Sequence, residues 1–188
     1  MKRMLLVIAL SMLLATGALA QGNTCIGMFT DATVSVCSAG TTQYVITSVH
    51  FYAILDEAAI PSISAAEFKV TNWPVAGAQG LITYAWNTPL VLGEPSTDVA
   101  FAFNPPLSAP HAYIGRVDFF PIDGAWIGSD HLMQIAAGNG QDGIWVVYNN
   151  ETKYGVGTGT FKFNGTQACD CPPTATEERT WGAIKALY

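Results

Sequence analysis

Positive charge is scarce in this chain. Eight Lys and Arg stand against fourteen Asp and Glu in 188 residues, a formal charge of −6. Nucleic acids and anionic membrane surfaces are recognised through clustered basic groups, so neither is an expected partner. Long apolar runs are also missing after the first twenty residues, which argues against a later membrane span. Helical periodicity is absent too: no 3.6-residue apolar pattern lasts ten residues in the body of the chain.

The motifs of catalysis are lacking as well. His50, His111 and His131 lie far apart, and none belongs to H-E-x-x-H, the helical spacing that grips zinc. In "GSDH", Ser129, Asp130 and His131 are consecutive. Consecutive residues cannot form a triad, because the base must reach the nucleophile while a third group orients it from behind. No G-x-S-x-G elbow is present. Fourteen carboxylates always contain some pair at a glycosidase-like separation, so their number is uninformative. Asp31, Asp56, Glu57, Asp123, Asp130 and Asp142 fall near expected loop ends, where carboxylates and carbonyls could hold a structural Ca²⁺. No D-x-D-x-D-G loop supports that, and turn formation by Asp explains their places. The expectation is a protein that is not an enzyme and has no catalytic residue, no metal centre and no cofactor beyond such a Ca²⁺.

What is present begins with "MKRMLLVIALSMLLATGALA": basic Lys2 and Arg3, an apolar core, and small residues Ala18 and Ala20. This is the pattern of a cleavable secretory signal over residues 1–20. Its removal leaves 168 residues and 6 basic against 14 acidic groups, a formal charge of −8. One domain is expected, and localisation is secreted, periplasmic or extracellular. Four cysteines, Cys25, Cys37, Cys169 and Cys171, then face an oxidising compartment, where an even number predicts two disulfides. The two-residue spacing of "CDC" strains a mutual bridge, so both are expected to tie the N-terminal segment to the end of the last strand, with their exact connectivity open.

From "TCIGMF" onward, short apolar or alternating runs are separated by Gly, Pro, Asn and Asp clusters, which is an all-β signal. In Gln43–Leu55, Val45, Val49, Phe51 and Leu55 would share one face, and Tyr44, Ser48, His50 and Tyr52 the other. Val99, Phe101 and Phe103 fall together, as do Tyr113, Val117 and Phe119, and Phe161 with Phe163. Further strands are expected from Glu67, Gly80, His131 and Ile144, the last two joined by a hairpin through "GNGQDG". About nine strands predict a two-sheet antiparallel sandwich over residues 21–168. Composition changes after Phe163. The adjacent prolines of "CDCPPTATEER" end any strand, so 169–179 reads as a linker.

The aromatics offer the one binding signal. Trp73, Trp86, Trp126, Trp145 and Trp181, with Tyr84 and Tyr148, could stack on sugar rings or fill a sandwich core. Trp145 in "IWVVY" reads as core. Trp126 sits in the Gly-rich loop "PIDGAWIGSD" and Trp73 precedes a proline, so these two are the candidate ligand-facing residues. Sequons at Asn150 and Asn164 occur near chance frequency.

Several stretches carry a resemblance: "IGMFTD" followed by Cys37, "ISAAEFKVTN", "PLVLGEPSTDVAFAF", and the terminal "NGTQACDC" and "TWGAIKALY". They resemble a group of exported bacterial β-sandwich proteins of unassigned activity, related to cohesins and carbohydrate-binding-type sandwiches. The second half of this chain departs from the pattern in lacking further cysteines. The resemblance implies a cohesin-like or jelly-roll-like fold and recognition of another molecule, a glycan or a protein at the cell surface. An alternative is a structural subunit of an extracellular assembly. In residues 180–188, Trp181, Ile184 and Leu187 recur on one stripe after a Thr180 cap. A helix this short must dock, on its own sandwich or on an export, sorting or assembly partner, or stay largely disordered.

Overall fold

The computed structural model describes residues 24–149 and 152–169. The expected signal segment, Cys171, the sequon residue Asn150 and the tail residues Trp181, Ile184 and Leu187 lie outside the described residues. Thirteen strands are described: β1 (Cys25–Phe29), β2 (Ser38–Ala39), β3 (Thr47–Ile54), β4 (Ser62–Thr71), β5 (Gly80–Trp86), β6 (Leu90–Glu94), β7 (Asp98–Ser108), β8 (His111–Pro121), β9 (His131–Ala136), β10 (Trp145–Tyr148), β11 (Thr152–Gly155), β12 (Gly157–Thr158) and β13 (Thr160–Phe163). Among the described residues no helix is long and apolar enough to cross a membrane.

The strands form an all-β sandwich of two sheets. One runs β12-β1-β3-β8-β5. The other runs β11-β10-β4-β9-β13-β2, with the β6–β7 hairpin joined to β4 through β7. Most pairs are antiparallel, and the short β1–β12 and β13–β2 contacts are parallel. Alternation decides which side chains meet between the sheets. Val49 and Phe51 of β3, Phe68 and Val70 of β4, Val99 and Phe101 of β7, Val117 and Phe119 of β8, and Phe161 and Phe163 of β13 all enter one core. Its rings pack closely: Phe119 meets Phe163 edge-on at 5.1 Å, and Phe68 lies 5.6 Å from Phe101.

Three expectations need correction. Between Phe51 and Tyr52 the β3–β8 register slips, so Ile114 enters the core while Tyr113 pairs with Tyr52 on the outer face. A bulge reverses the face of every residue beyond it, which simple alternation cannot foresee. Tyr44 and Val45 precede β3 rather than belonging to it, and Tyr44 is 64% exposed. The "GNGQDG" loop does not close a hairpin either. β9 and β10 pair end to end along β4, at Lys69–Thr71 and Ala65–Glu67, because ten-residue β4 is long enough to serve both.

β1 is buried along its whole length, unlike an alternating strand. Its outer face is covered by the loop that follows, where Phe29, Cys37 and Tyr52 form a second small core with Val34, Ile54 and Tyr113 around it. Cys37 is bridged to Cys169 across 132 residues of sequence, with Cα atoms 5.2 Å apart. Cys25 is disulfide-bonded as well. A staple of this span removes unfolded-state freedom worth about 5 kcal/mol in the chain-entropy account. Such a bridge points to an oxidising, extracellular location.

Asp31 organises the same loop. It accepts hydrogen bonds from the Thr33 hydroxyl, the Ser35 amide and hydroxyl, and the Val36 amide. Burial alone would raise its pKa, but these donors favour the charged form and hold the carboxyl well below the usual range. The sequon residue Asn164 is also engaged: its amide nitrogen donates to Thr41 Oγ1 and to the Ile127 and Gly128 carbonyls.

Two outcomes follow from these ties. Replacing Cys37 and Cys169 together with alanine lowers stability by roughly 2–5 kcal/mol in denaturant unfolding, and added reductant narrows the gap to the parent. Asp31 has a depressed folded pKa, so its stabilisation is present above about pH 4 and is lost as pH falls through the folded value. An Asp31→Asn variant, melted across pH 2–7, should show a shallower acid loss than the parent.

Candidate functional site

One end of the sandwich is built by two loops, residues 72–79 between β4 and β5 and residues 122–130 between β8 and β9. The first must cross from one sheet to the other. Asn72 starts the crossing with φ 54°, a conformation Asn tolerates better than most residues. Its amide nitrogen donates to the Leu132 carbonyl at 3.0 Å, and its own carbonyl lies 2.6 Å from His131 Nε2. A carbonyl only accepts, so Nε2 carries hydrogen and Nδ1 of the neutral ring is left as an acceptor. Pro74 then keeps the chain extended at Trp73. Gly77 and Gly80 exchange backbone hydrogen bonds of 2.9 and 3.2 Å, closing the turn into β5.

The second loop is folded by Asp123, whose side chain accepts the Ala125 amide at 2.9 Å and whose carbonyl accepts the Trp126 amide at 3.1 Å. The two loops are then fastened together. Ile122 and Asp123 donate their amides to the Gln79 carbonyl at 2.9 and 2.8 Å, and Trp126 Nε1 donates to the Val75 carbonyl at 2.8 Å. The Trp126 ring occupies the space beside Gly80 so closely that a Cβ there would lie 2.1 Å from it. Ile127, next in sequence, is buried in the core.

Trp73 and Trp126, 53 positions apart in sequence, thus line one cleft of about 400 Å³ with Pro74, Val75, Gln79 and His131. Both indoles are half-buried against the core: Trp73 lies 5.3 Å from the Phe119 ring and Trp126 lies 6.4 Å from it. The cleft therefore combines flat apolar walls with few polar groups, those of Gln79 and His131. The two tryptophans expected from the sequence to face a ligand line this one cleft, and Gln79 and His131 join them there. Gln79 carries no local signal, and His131 is read in "GSDH" only as the entry to a strand; the two loops bring both beside the tryptophans. Trp145 is buried but lies outside the main core, under the Lys153 ammonium at 4.4 Å.

Other groups are used structurally. Ser48 Oγ donates to Asp118 Oδ1 at 2.7 Å, and Arg116 Nε stands 3.0 Å from the same atom. Burial, then the Arg116 charge, lowers the pKa of nearby His50. Asp56 Oδ1 accepts the Ala58 amide, and Asp130 pairs with Lys162 at 3.4 Å. Among the described residues no group of three or more His, Cys, Asp or Glu is placed to hold a metal ion.

A second surface was not foreseen. On the outer side of the sheet, Leu90 and Leu92 of β6 are 55% and 66% exposed. They pair with Ala102 and Ala100 of β7, which pair in turn with Ala65 and Glu67 of β4. Ala65, Ala100 and Ala102 beside two exposed leucines make an apolar strip of low relief, bordered by Glu67.

No protein-family model matches the chain, and no curated protein matches it. Among solved structures it is similar to a cohesin module from a family 33 glycoside hydrolase of Clostridium perfringens, at 9% identity and a TM-score of 0.44, over 75% of this chain and 96% of that one.

The Gly80 contact makes a sharp prediction. Gly80→Ala should push Trp126 from its seat, red-shift tryptophan emission and cost about 1–3 kcal/mol in unfolding. Gly77→Ala, at a site with open space around the added carbon, should leave both unchanged.

Proposed function

We propose that the protein is a secreted, non-catalytic binding domain that recognises a glycan at the cell surface through the Trp73–Trp126 cleft. The observation that carries this reading is the convergence of two half-buried indoles from separate loops on one open cleft. A pyranose has an apolar C–H face that suits a flat aromatic ring, and a rim of hydroxyls that suits isolated polar groups such as Gln79 and the free His131 nitrogen. The two loops are tied to each other by their own hydrogen bonds, which limits the ordering cost of binding.

A second reading has its own support. The exposed Leu90 and Leu92 beside Ala100 and Ala102 fit a protein partner, including a further copy of the chain in an extracellular assembly, since a contiguous exposed apolar patch marks such contacts.

An array of surface polysaccharides and oligosaccharides separates the two. The parent protein should bind a subset of carbohydrate spots. Trp73→Leu keeps an apolar plug against Phe51 and Phe119 but removes the flat ring, and should weaken that binding about tenfold or more while the far-ultraviolet spectrum is unchanged. A blank array for the parent protein contradicts the glycan reading and leaves the sheet-face reading standing.

A further inference from the structure

Beyond the cleft, the aromatic surface continues along the side of the sandwich. The rings of Trp73, Tyr84 and Trp86 follow one another with centroids 6.4 and 5.7 Å apart, and with planes within 11° and 20° of parallel. Tyr84 and Trp86 are two residues apart on β5 and so share a face, while Trp73 stands in the loop that leads into that strand. Trp86 anchors the row, 4.8 Å from Phe101 and 5.6 Å from Phe51.

Tyr84 pairs with buried Val117 and therefore lies on the core-side face, yet it is 40% exposed. The reason is topological. β5 ends one sheet, and β6 ends its branch of the other, so an open seam runs between them. The Tyr84 hydroxyl reaches across that seam to Glu94 Oε2 on β6, at 3.4 Å. Burial, and then the Glu94 charge, raises the pKa of the phenol, which remains a hydrogen-bond donor at neutral pH. The seam thus offers an aromatic ring, a hydroxyl donor and a carboxylate acceptor in line with the cleft.

We propose that the ligand is a linear oligosaccharide rather than a single terminal sugar, with one unit in the Trp73–Trp126 cleft and the next units along the seam over Tyr84, their hydroxyls donating to Glu94. This rests on the carbohydrate reading of the cleft and adds chain length and direction to it. A longer ligand gains contact at Tyr84 with no second entropic cost of association, so affinity should climb with length and then level off.

The test is calorimetric titration of the whole mature protein with soluble oligomers of one to six units, in four series: β-1,4-linked glucose, N-acetylglucosamine and mannose, and α-1,4-linked glucose. For the series that binds, affinity should rise about tenfold or more from the single sugar to the trimer. Tyr84→Ala should abolish that rise while leaving the single sugar, which occupies the cleft alone, within about twofold of the parent. Tyr84→Phe, which keeps the packed ring, should retain most of the rise and guards against a folding defect in the alanine variant. Equal binding of the single sugar and the trimer, or equal weakening of both by Tyr84→Ala, overturns the extended site while the cleft reading survives. Failure of all four series to bind at any length overturns both.

Discussion

Gly80 and Trp126 occupy a contact that only a hydrogen on Cα permits, and the shape of the cleft at this end of the molecule depends on it. The indole fills the place a side chain would take at the first residue of β5, then spends its one donor on the Val75 carbonyl in the opposing loop. Two loops that each cross between the sheets become one wall. A loop crossing between sheets otherwise carries unpaired backbone groups and moves with its neighbours; here its carbonyls at Val75 and Gln79 are paired with the other loop. Trp73 is held by the same arrangement, between the core at Phe119 and the exposed seam at Tyr84.

The opposite problem, a covered outer face, is solved near the chain's start. β1 places Phe29 on the side away from the main core, where an apolar ring would meet water. The loop after it, shaped by Asp31 and fixed by the Cys37–Cys169 bridge, lies over Phe29 and Tyr52 and turns that face into a second small core. The bridge also brings the end of the described chain back beside its beginning. Stability is thus spread over both faces of the five-stranded sheet, while the cleft and the seam stay open.

How much of this was legible depends on range. Strands with strict alternation and large rings, such as Val99–Phe103 and Phe161–Phe163, declare their inner faces in the sequence, and those residues are buried. Tyr113 was misplaced because a register slip near Gly115 is a pairing property, visible only once β3 lies beside β8. The hairpin expected at "GNGQDG" failed for a related reason: local turn chemistry was read correctly as a loop, but the partner of both flanking strands is β4, more than sixty residues away. Trp73 and Trp126 stood out because a large aromatic in a Gly- or Pro-marked loop lacks a strand's reason for being there. Their meeting, the place of Gln79 beside them and the exposed Leu90–Leu92 row are tertiary facts with no local signature.

The account turns on where ligand meets the surface. The most direct measurement is a nitrogen-15 spectrum of the tryptophan indole groups during titration with the oligosaccharide that binds. Trp73 and Trp126 line the cleft, Trp86 ends the seam, and Trp145 sits on the outer side of the other sheet beneath Lys153. The account predicts saturable shifts at Trp73 and Trp126, a smaller shift at Trp86, and a stationary Trp145. A saturating titration that moves Trp145 and leaves Trp73 and Trp126 in place would contradict it.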